Sequence, residues 1–299
     1  MPLPYDMPLF RPPSEGDNLI IQATLGCSFN RCSFCSMYRT KTYGARPFDA
    51  VAADIAAAAR AWPEAHRVFL ADGDAMGLPT DHLLALCALL RDTFPALQRI
   101  SAYATPANLL KKSPEDLAAL KAAKLSLVYV GIESGDPAIL RRITKGATAA
   151  GIIEAVTKAK AAGIKVSATV ILGLGGDSHW RQHIEGTAAV LNACAPTYAS
   201  TLQLFLEHDR VDDFLETWNS RAEPGETFIP RDDAGVLEEL DLLLSLLAPP
   251  QPVIFRSNHA SNALPLAGTL PKDRDRLLAA VRGARDGLVR TRPRWMRRV

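Results

Sequence analysis

The sequence predicts an α/β protein with a parallel, helix-covered sheet, on three observations. Short runs of apolar and β-branched residues recur along the chain, segments rich in alanine and leucine with helical spacing lie between them, and the alternation persists from residue 19 to residue 205. A strand that returns to the sheet through a helix pairs in parallel with a right-handed crossover, so an open or closed βα barrel is expected. In such a fold the chemistry gathers where strands end and loops begin.

Taken in order, the expected strands are LIIQATL (19–25), RVFLAD (67–72), RISAYA (99–104), LSLVYVGI (125–132), KVSATVIL (165–172) and YASTLQLF (198–205). The helices between them are FDAVAADIAAAARAW, TDHLLALCALLRDTF, SPEDLAALKAA, AAGIIEAVTKAKAAG and HWRQHIEGTAAVLNAC. Thr80 and Ser113 are placed to cap helix N-termini, Pro114 suits a first helical position, and Gly163 stands where a helix should stop. Residues 207–226 are less regular, followed by a leucine-rich helix at 234–247, the short apolar run PVIFRSNHASN, a last helix near 271–289, and an arginine-rich tail.

A chain of 299 residues buries a large core, and one big barrel-type domain accommodates it. A net charge of +2 calls for no polyanionic partner. No apolar run reaches the roughly 18 residues that cross a bilayer, and the proline-rich, acidic N-terminus does not read as a secretory signal. The expectation is a cytoplasmic protein without membrane contact. Five cysteines, three of them clustered, fit a reducing compartment and metal chemistry better than a disulfide framework.

Cys27, Cys32 and Cys35 occupy the loop after the first strand, spaced C-x4-C-x2-C. Thiolates are soft ligands for zinc or iron–sulfur clusters. A structural zinc site closes with four protein ligands, and no second Cys or His pair of suitable spacing accompanies these three. Three thiolates on a cubane leave one iron open to an external ligand, as a catalytic cluster requires. Cys87, among leucines in a helix, and Cys194, at a helix end, read as core residues.

At this point the chain resembles the radical S-adenosylmethionine (radical SAM) superfamily. The superfamily's usual spacing is C-x3-C-x2-C with an aromatic before the last cysteine; here Phe34 is that aromatic, and one extra residue separates Cys27 from Cys32. LADGDAM resembles the G-G-E motif, with Asp72, Gly73 and Asp74 at the matching positions. YVGIESGDPAILRRITKG (129–146) is similar to a segment of the subgroup containing oxygen-independent coproporphyrinogen oxidases, methylthiotransferases and Elongator-type enzymes. VILGLGGD (170–177) resembles the adenine-side glycine motif.

The resemblance implies a partial (β/α)6 barrel over 18–206 with a C-terminal helical extension, 207–299, packed on it. It implies a 4Fe-4S cluster on Cys27, Cys32 and Cys35, and SAM closing the cage through its amino nitrogen and carboxylate. Backbone oxygens at Asp72, Gly73 and Asp74 would take the SAM amino group. Glu133, beside Ser134, would hold the ribose or amino group, Arg142 would pair with the carboxylate, and Gly173 and Gly175 would let the backbone approach the base. One electron from a flavodoxin- or ferredoxin-type reductant would then release methionine and a 5′-deoxyadenosyl radical that abstracts hydrogen from an unidentified substrate.

Strand-end logic nominates Ser101, Tyr103, Ser167, Thr169, Gln203 and Glu207 on the substrate side, and the polar run FRSNHASN adds Arg256, Asn258 and His259. Three other readings stand beside this one: an iron–sulfur electron-transfer or sensing protein, a zinc-stabilised binding module, and an RNA-modifying radical SAM enzyme. The last draws on Arg290, Arg292, Arg294, Arg297 and Arg298 with Trp295, residue types that contact phosphates and stack on bases. Such tails are more often solvated ends.

Overall fold

The computed structural model describes residues 3–297, so Arg298 lies outside the described residues. In chain order the strands are β1 (Leu19–Gln22), β2 (Thr24–Leu25), β3 (Gly44–Ala45), β4 (Arg67–Ala71), β5 (Arg99–Ala104), β6 (Leu125–Glu133), β7 (Lys165–Leu172), β8 (Tyr198–Gln203), β9 (Val253–Arg256) and β10 (Ala267–Leu270). The α-helices are α1 (Phe48–Ala61), α2 (Thr80–Thr93), α3 (Pro106–Lys111), α4 (Pro114–Ala122), α5 (Pro137–Arg142), α6 (Ala149–Ala161), α7 (Gly176–Cys194), α8 (Val211–Asn219), α9 (Asp233–Leu246) and α10 (Arg274–Arg285). The chain forms two units: one takes residues up to Asn30, Met37–Val130 and Ala155–Val166, the other Arg31–Ser36, Gly131–Glu154 and Ser167 onward.

In the first unit β1 pairs with β4, β4 with β5 and β5 with β6, all in parallel. The βα alternation dictates this, since each strand is returned by a helix. Val51, Ile55 and Ala58 of α1 and Leu83, Leu86 and Leu90 of α2 recur at helical spacing and are buried, which is why these segments lie flat on their neighbours. Ser113 caps α4 in a reciprocal box with Asp116, Pro114 is the first helical residue, and Gly163, at φ +79°, stands just past the end of α6. Thr80 does not cap α2. Pro79 takes that position in an extended conformation that its ring favours, and Thr80 begins the helix.

Glu15, wholly buried ahead of β1, accepts hydrogen bonds from Arg99 Nη2 and Ser101 Oγ, each 2.9 Å away, and from Asn18 and Tyr129. A buried carboxylate is tolerated only with such a set of donors. It ties the N-terminal segment to the first half of β5 and the middle of β6.

In the second unit β7, β8 and β9 run parallel and β10 returns antiparallel to β9. The sequence reading left the region beyond residue 207 as helices and loops; β9 and β10 add two strands there, and α8 forms inside the stretch read as irregular. Ile139, Ile143, Ile171, Leu174, Phe214, Trp218 and Phe228 form one apolar cluster of this unit, with Phe34 packed against it.

Candidate functional site

Cys27 belongs to the first unit and is held from both sides by the segment after β4. The Gly26 N–H donates to Asp72 Oδ2 (3.1 Å), and the Gly73 N–H donates to the Gly26 carbonyl (3.0 Å). On the other flank, the Ser28 N–H donates to Asp74 Oδ1 (2.9 Å), and the Ser28 hydroxyl donates to the same carboxyl. Gly73 is where a side chain has no room: an added Cβ would stand 2.8 Å from both Cys27 Cβ and the Tyr38 ring. The side chains of Asp72 and Asp74 thus serve the cysteine loop, which the sequence reading did not anticipate.

Asp72 is fully buried and also takes Gln22 Nε2 at 3.1 Å and Lys41 Nζ at 2.9 Å, while its Oδ1 has no hydrogen-bond partner. Burial pushes the Asp74 carboxyl up, against the pull of its bonds to Ser28 and Asn108. Tyr43 is pushed up to about 12 by burial first, then by Asp74 and Cys27.

Cys32 and Cys35 belong to the second unit. The Cys35 N–H donates to the Cys32 carbonyl (3.1 Å), closing a turn, and the Ser33 N–H reaches the Ile143 carbonyl (3.0 Å) just past α5. Phe34 anchors that turn on the apolar cluster. A cation that acts on these cysteines is Lys145. Its Nζ lies 2.9 Å from Glu133 Oε1, and although burial pulls the ammonium down, Glu133, then Cys32 and Cys35, hold it above its ordinary value.

Glu133 ends β6 in the left-handed region (φ +65°), buried, with Oε2 lacking any partner. Its carboxylate folds back over Gly131, where an added Cβ would sit 1.9 Å from Oε1. This conformation is costly for a residue with a side chain and persists only where its surroundings impose it. Helix α7 does so. The His183 Nε2–H donates to the Ile171 carbonyl (3.0 Å), because a carbonyl can only accept, which leaves Nδ1 to accept from the Ser134 hydroxyl (2.8 Å). The Gly135 N–H donates to Thr187 Oγ1 (2.9 Å), and Gly135 abuts Gly186 so closely that a Cβ would meet its carbonyl at 2.1 Å. Burial pushes His183 down to about 4, keeping it neutral.

Arg142, expected from the resemblance at the SAM carboxylate, pairs with Glu226 through one nitrogen, and its buried Nη1 has no hydrogen-bond partner. Its Nη2 lies 2.6 Å from Glu226 and its guanidinium sits 4.2 Å over the Trp218 ring. At the end of β7, Gly173 turns the chain at φ +90°, and Gly175 lies so near α7 that a Cβ would come within 2.7 Å of the His179 backbone. The Gly173 N–H donates to Glu239 Oε2 (2.6 Å).

Of the substrate-side candidates, Ser101 is bonded to Glu15, and Tyr103 stands edge-on to Phe69 and Tyr129. Ser167 is buried, Thr169 and Arg256 are half-buried, and Glu207 and Asn258 are exposed. Gln203 donates to Asp233 (3.1 Å) and accepts from Arg297 (3.2 Å). His259 Nδ1 bonds the Ser261 hydroxyl (2.8 Å), and burial, then Arg292, pushes it down. The tail is anchored at Arg297, which forks onto Asp233, and at Arg292, which donates to the His259 carbonyl. Trp295 remains exposed.

Lys41, Tyr43, Lys145 and Glu239 escaped the sequence reading, and His183 enters it only as a partner of His179 too far in sequence from the cysteines. Lys145 stood within the similar segment as the residue before its last glycine, and that was its only signal.

None of the five cysteines, all among the described residues, forms a disulfide. Among the described residues no group of three or more His, Cys, Asp or Glu is placed to hold a metal ion. A cubane asks something different, since each thiolate takes its own iron and the donors need not converge on one point. By its chemistry the donor set fits: three thiols fall in one nine-residue stretch of the sequence, and Lys145 acts on two of them, Cys32 and Cys35.

The radical SAM superfamily matches residues 21–188, more than half of the chain, and the chain belongs to that superfamily. Its members bind a 4Fe-4S cluster and SAM, and the chain is an enzyme of this class. No curated protein matches it by sequence. Among solved structures it is similar to methylornithine synthase, at 14% identity over 78% of this chain and 63% of that one, with a TM-score of 0.52. It is similar to coproporphyrinogen III oxidase from Escherichia coli, at 14% identity over 76% of this chain and 52% of that one, TM-score 0.52. The N-terminally shortened Elp3 of the archaeon Methanocaldococcus infernus aligns at 12% identity over 91% of this chain and 64% of that one, TM-score 0.51. The chain spans less than two thirds of the length of each, and at these identities the likeness shows the α/β fold alone. No helix among the described residues is long and apolar enough to cross a membrane.

Proposed function

We propose that Cys27, Cys32 and Cys35 hold a 4Fe-4S cluster with which this enzyme cleaves SAM reductively, and that the product radical abstracts hydrogen from a substrate still to be identified. The observation that supports this most is the pairing of a half-buried Lys145 with the buried Glu133 next to Cys32 and Cys35, with one Glu133 oxygen unpartnered. An unsatisfied buried acceptor beside a cation is the complement of a zwitterion carrying donors and a carboxylate.

When bound, the reduced cluster and SAM supply the 5′-deoxyadenosyl radical that does the difficult chemistry. The chain's own residues bind and orient. Asp72 and Asp74 hold the Cys27 loop through Gly26 and Ser28, and Glu133 Oε2 accepts a hydrogen bond from the amino group or the ribose. Lys145 receives the carboxylate together with Arg142, whose Nη2 is on Glu226 while its buried Nη1 has no hydrogen-bond partner. Gly173 and Gly175 give the backbone access to the base. The core that handles SAM is 18–206, with 207–299 an extension of it, and a flavodoxin- or ferredoxin-type protein supplies the electron.

The reading is tested by adding SAM to anaerobically purified, dithionite-reduced protein and following the electron paramagnetic resonance of the cluster. Coordination at the open iron changes the spectrum in the wild type and not in Lys145→Met. An iron–sulfur sensor that never engages SAM would give identical spectra with and without it.

A further inference from the structure

We infer that Glu239 is a positioning residue for SAM binding: from α9 it fixes the Gly173–Gly175 loop by accepting the Gly173 N–H. The inference rests on the reading that this loop lies on the adenine side of SAM. Beyond Leu172 the ladder between β7 and β8 ends, with the Leu204 N–H on the Leu172 carbonyl (2.8 Å). Gly173 then turns at φ +90° and its carbonyl accepts the Gly176 N–H (3.1 Å). Its own N–H points away from any strand, and a buried N–H needs an acceptor. Glu239 supplies one at 2.6 Å from a helix 66 residues farther along the chain.

The choice of residue is informative. Every other buried position of α9 is Val236, Leu237, Leu240, Leu243 or Leu244, and Glu239 alone breaks the apolar stripe, fully buried. Burying a carboxyl costs free energy that leucine would not, and here it serves one backbone N–H. Burial pushes Glu239 up to about 8, partly offset by Gly173 and Arg231, and its Oε2 accepts the Gly173 N–H in either protonation state.

A second contact grips the far end of the same loop. Arg231, with Nε 3.7 Å from Glu239 Oε1 and Nη2 2.6 Å from Glu238, lies 4.4 Å over the ring of Trp180. The Trp180 backbone in turn crowds Gly175, where a Cβ would stand 2.8 Å from Trp180 Cα. Gly235 leaves room for the guanidinium, since a Cβ there would come within 2.5 Å of Arg231 Nε. Glu239 and Arg231 thus brace both ends of a three-residue loop whose glycines give it little stiffness of its own.

The test compares Glu239→Ala with Glu239→Gln in anaerobically purified holoenzyme. Amide exchange of peptides covering 170–177 is measured together with the KM for SAM and kcat of dithionite-driven 5′-deoxyadenosine formation. Loss of the acceptor in Glu239→Ala is expected to speed exchange and raise KM about tenfold with kcat changed less than about twofold. Glu239→Gln, which keeps an acceptor, is expected to stay near wild type in both. Unchanged exchange in a folded, cluster-loaded Glu239→Ala protein would overturn the brace. Faster exchange with unchanged KM would instead overturn the placement of SAM's base at this loop. If Glu239→Ala does not fold, Glu239→Asp replaces it: the shorter carboxyl should weaken SAM binding where Gln does not, and the opposite order contradicts the proposal.

Discussion

Glu133 Oε1 lies 2.9 Å from Lys145 Nζ, and the other Glu133 oxygen is buried without a partner. Removing either member leaves a buried charge uncompensated, which costs about 3–5 kcal/mol. Lys145→Met and Glu133→Gln should each lower the urea midpoint clearly, and the double variant should regain most of the loss. None of the three should bind SAM. A double variant no more stable than the singles would show that the two groups do not act as a pair.

The clamp on Cys27 makes its own prediction. A methyl group at position 73 would meet Cys27 Cβ, the Tyr38 ring and the Gly26 carbonyl at 2.8–2.9 Å, and overpacking of this kind costs about 1–3 kcal/mol. Gly73→Ala should fold but lose iron, because the cheapest relief is to shift the cysteine loop. Full iron content in this variant would mean that Gly73 does not set the position of Cys27.

The cysteines divide by environment. Single alanine substitutions at Cys27, Cys32 or Cys35 should abolish the iron and sulfide content of anaerobically purified protein. Cys87, wholly buried in α2 with its thiol pushed up to about 12 by burial, is inert, and Cys87→Ala should keep a full cluster. Equal iron loss in all four would contradict the assignment.

His183 provides a pH signature. Its folded value, about 4, lies below the ordinary histidine value of 6.5, so the stability it contributes is present above 6.5 and is lost as pH falls through 4. The difference in unfolding free energy between wild type and His183→Leu should therefore narrow by roughly 3 kcal/mol on going from pH 7 to pH 4. A constant difference would mean that the imidazole is not held neutral between Ser134 and Ile171.

The six main strands and their helices were legible because apolar runs and alanine–leucine segments carry their periodicity on the surface of the sequence. What stayed hidden is local and short. VIFR and AGTL join the sheet as β9 and β10 with only four residues each, and AGTL has neither β-branched density nor alternation. Pro79 displaced Thr80 as the start of α2, since the proline ring favours the extended residue before the helix. Within the site, cysteine spacing marks Cys27, Cys32 and Cys35, but no pattern reveals that Asp72 and Asp74 would turn their carboxylates onto the backbone around Cys27. Glu239 was invisible for the opposite reason: beside Glu238 and Asp241 in a leucine-rich helix it reads as part of an exposed acidic face, and only the fold turns it inward toward Gly173.

The central claim is that three thiolates hold a cluster whose open iron takes SAM. Its most direct test is anaerobic reconstitution followed by dithionite, SAM and assay of 5′-deoxyadenosine, with metal analysis of the same sample. The account predicts about four irons and four sulfides per chain and formation of 5′-deoxyadenosine that disappears in Cys35→Ala. One zinc per chain without sulfide, or a fully loaded cluster that leaves SAM intact, would contradict it.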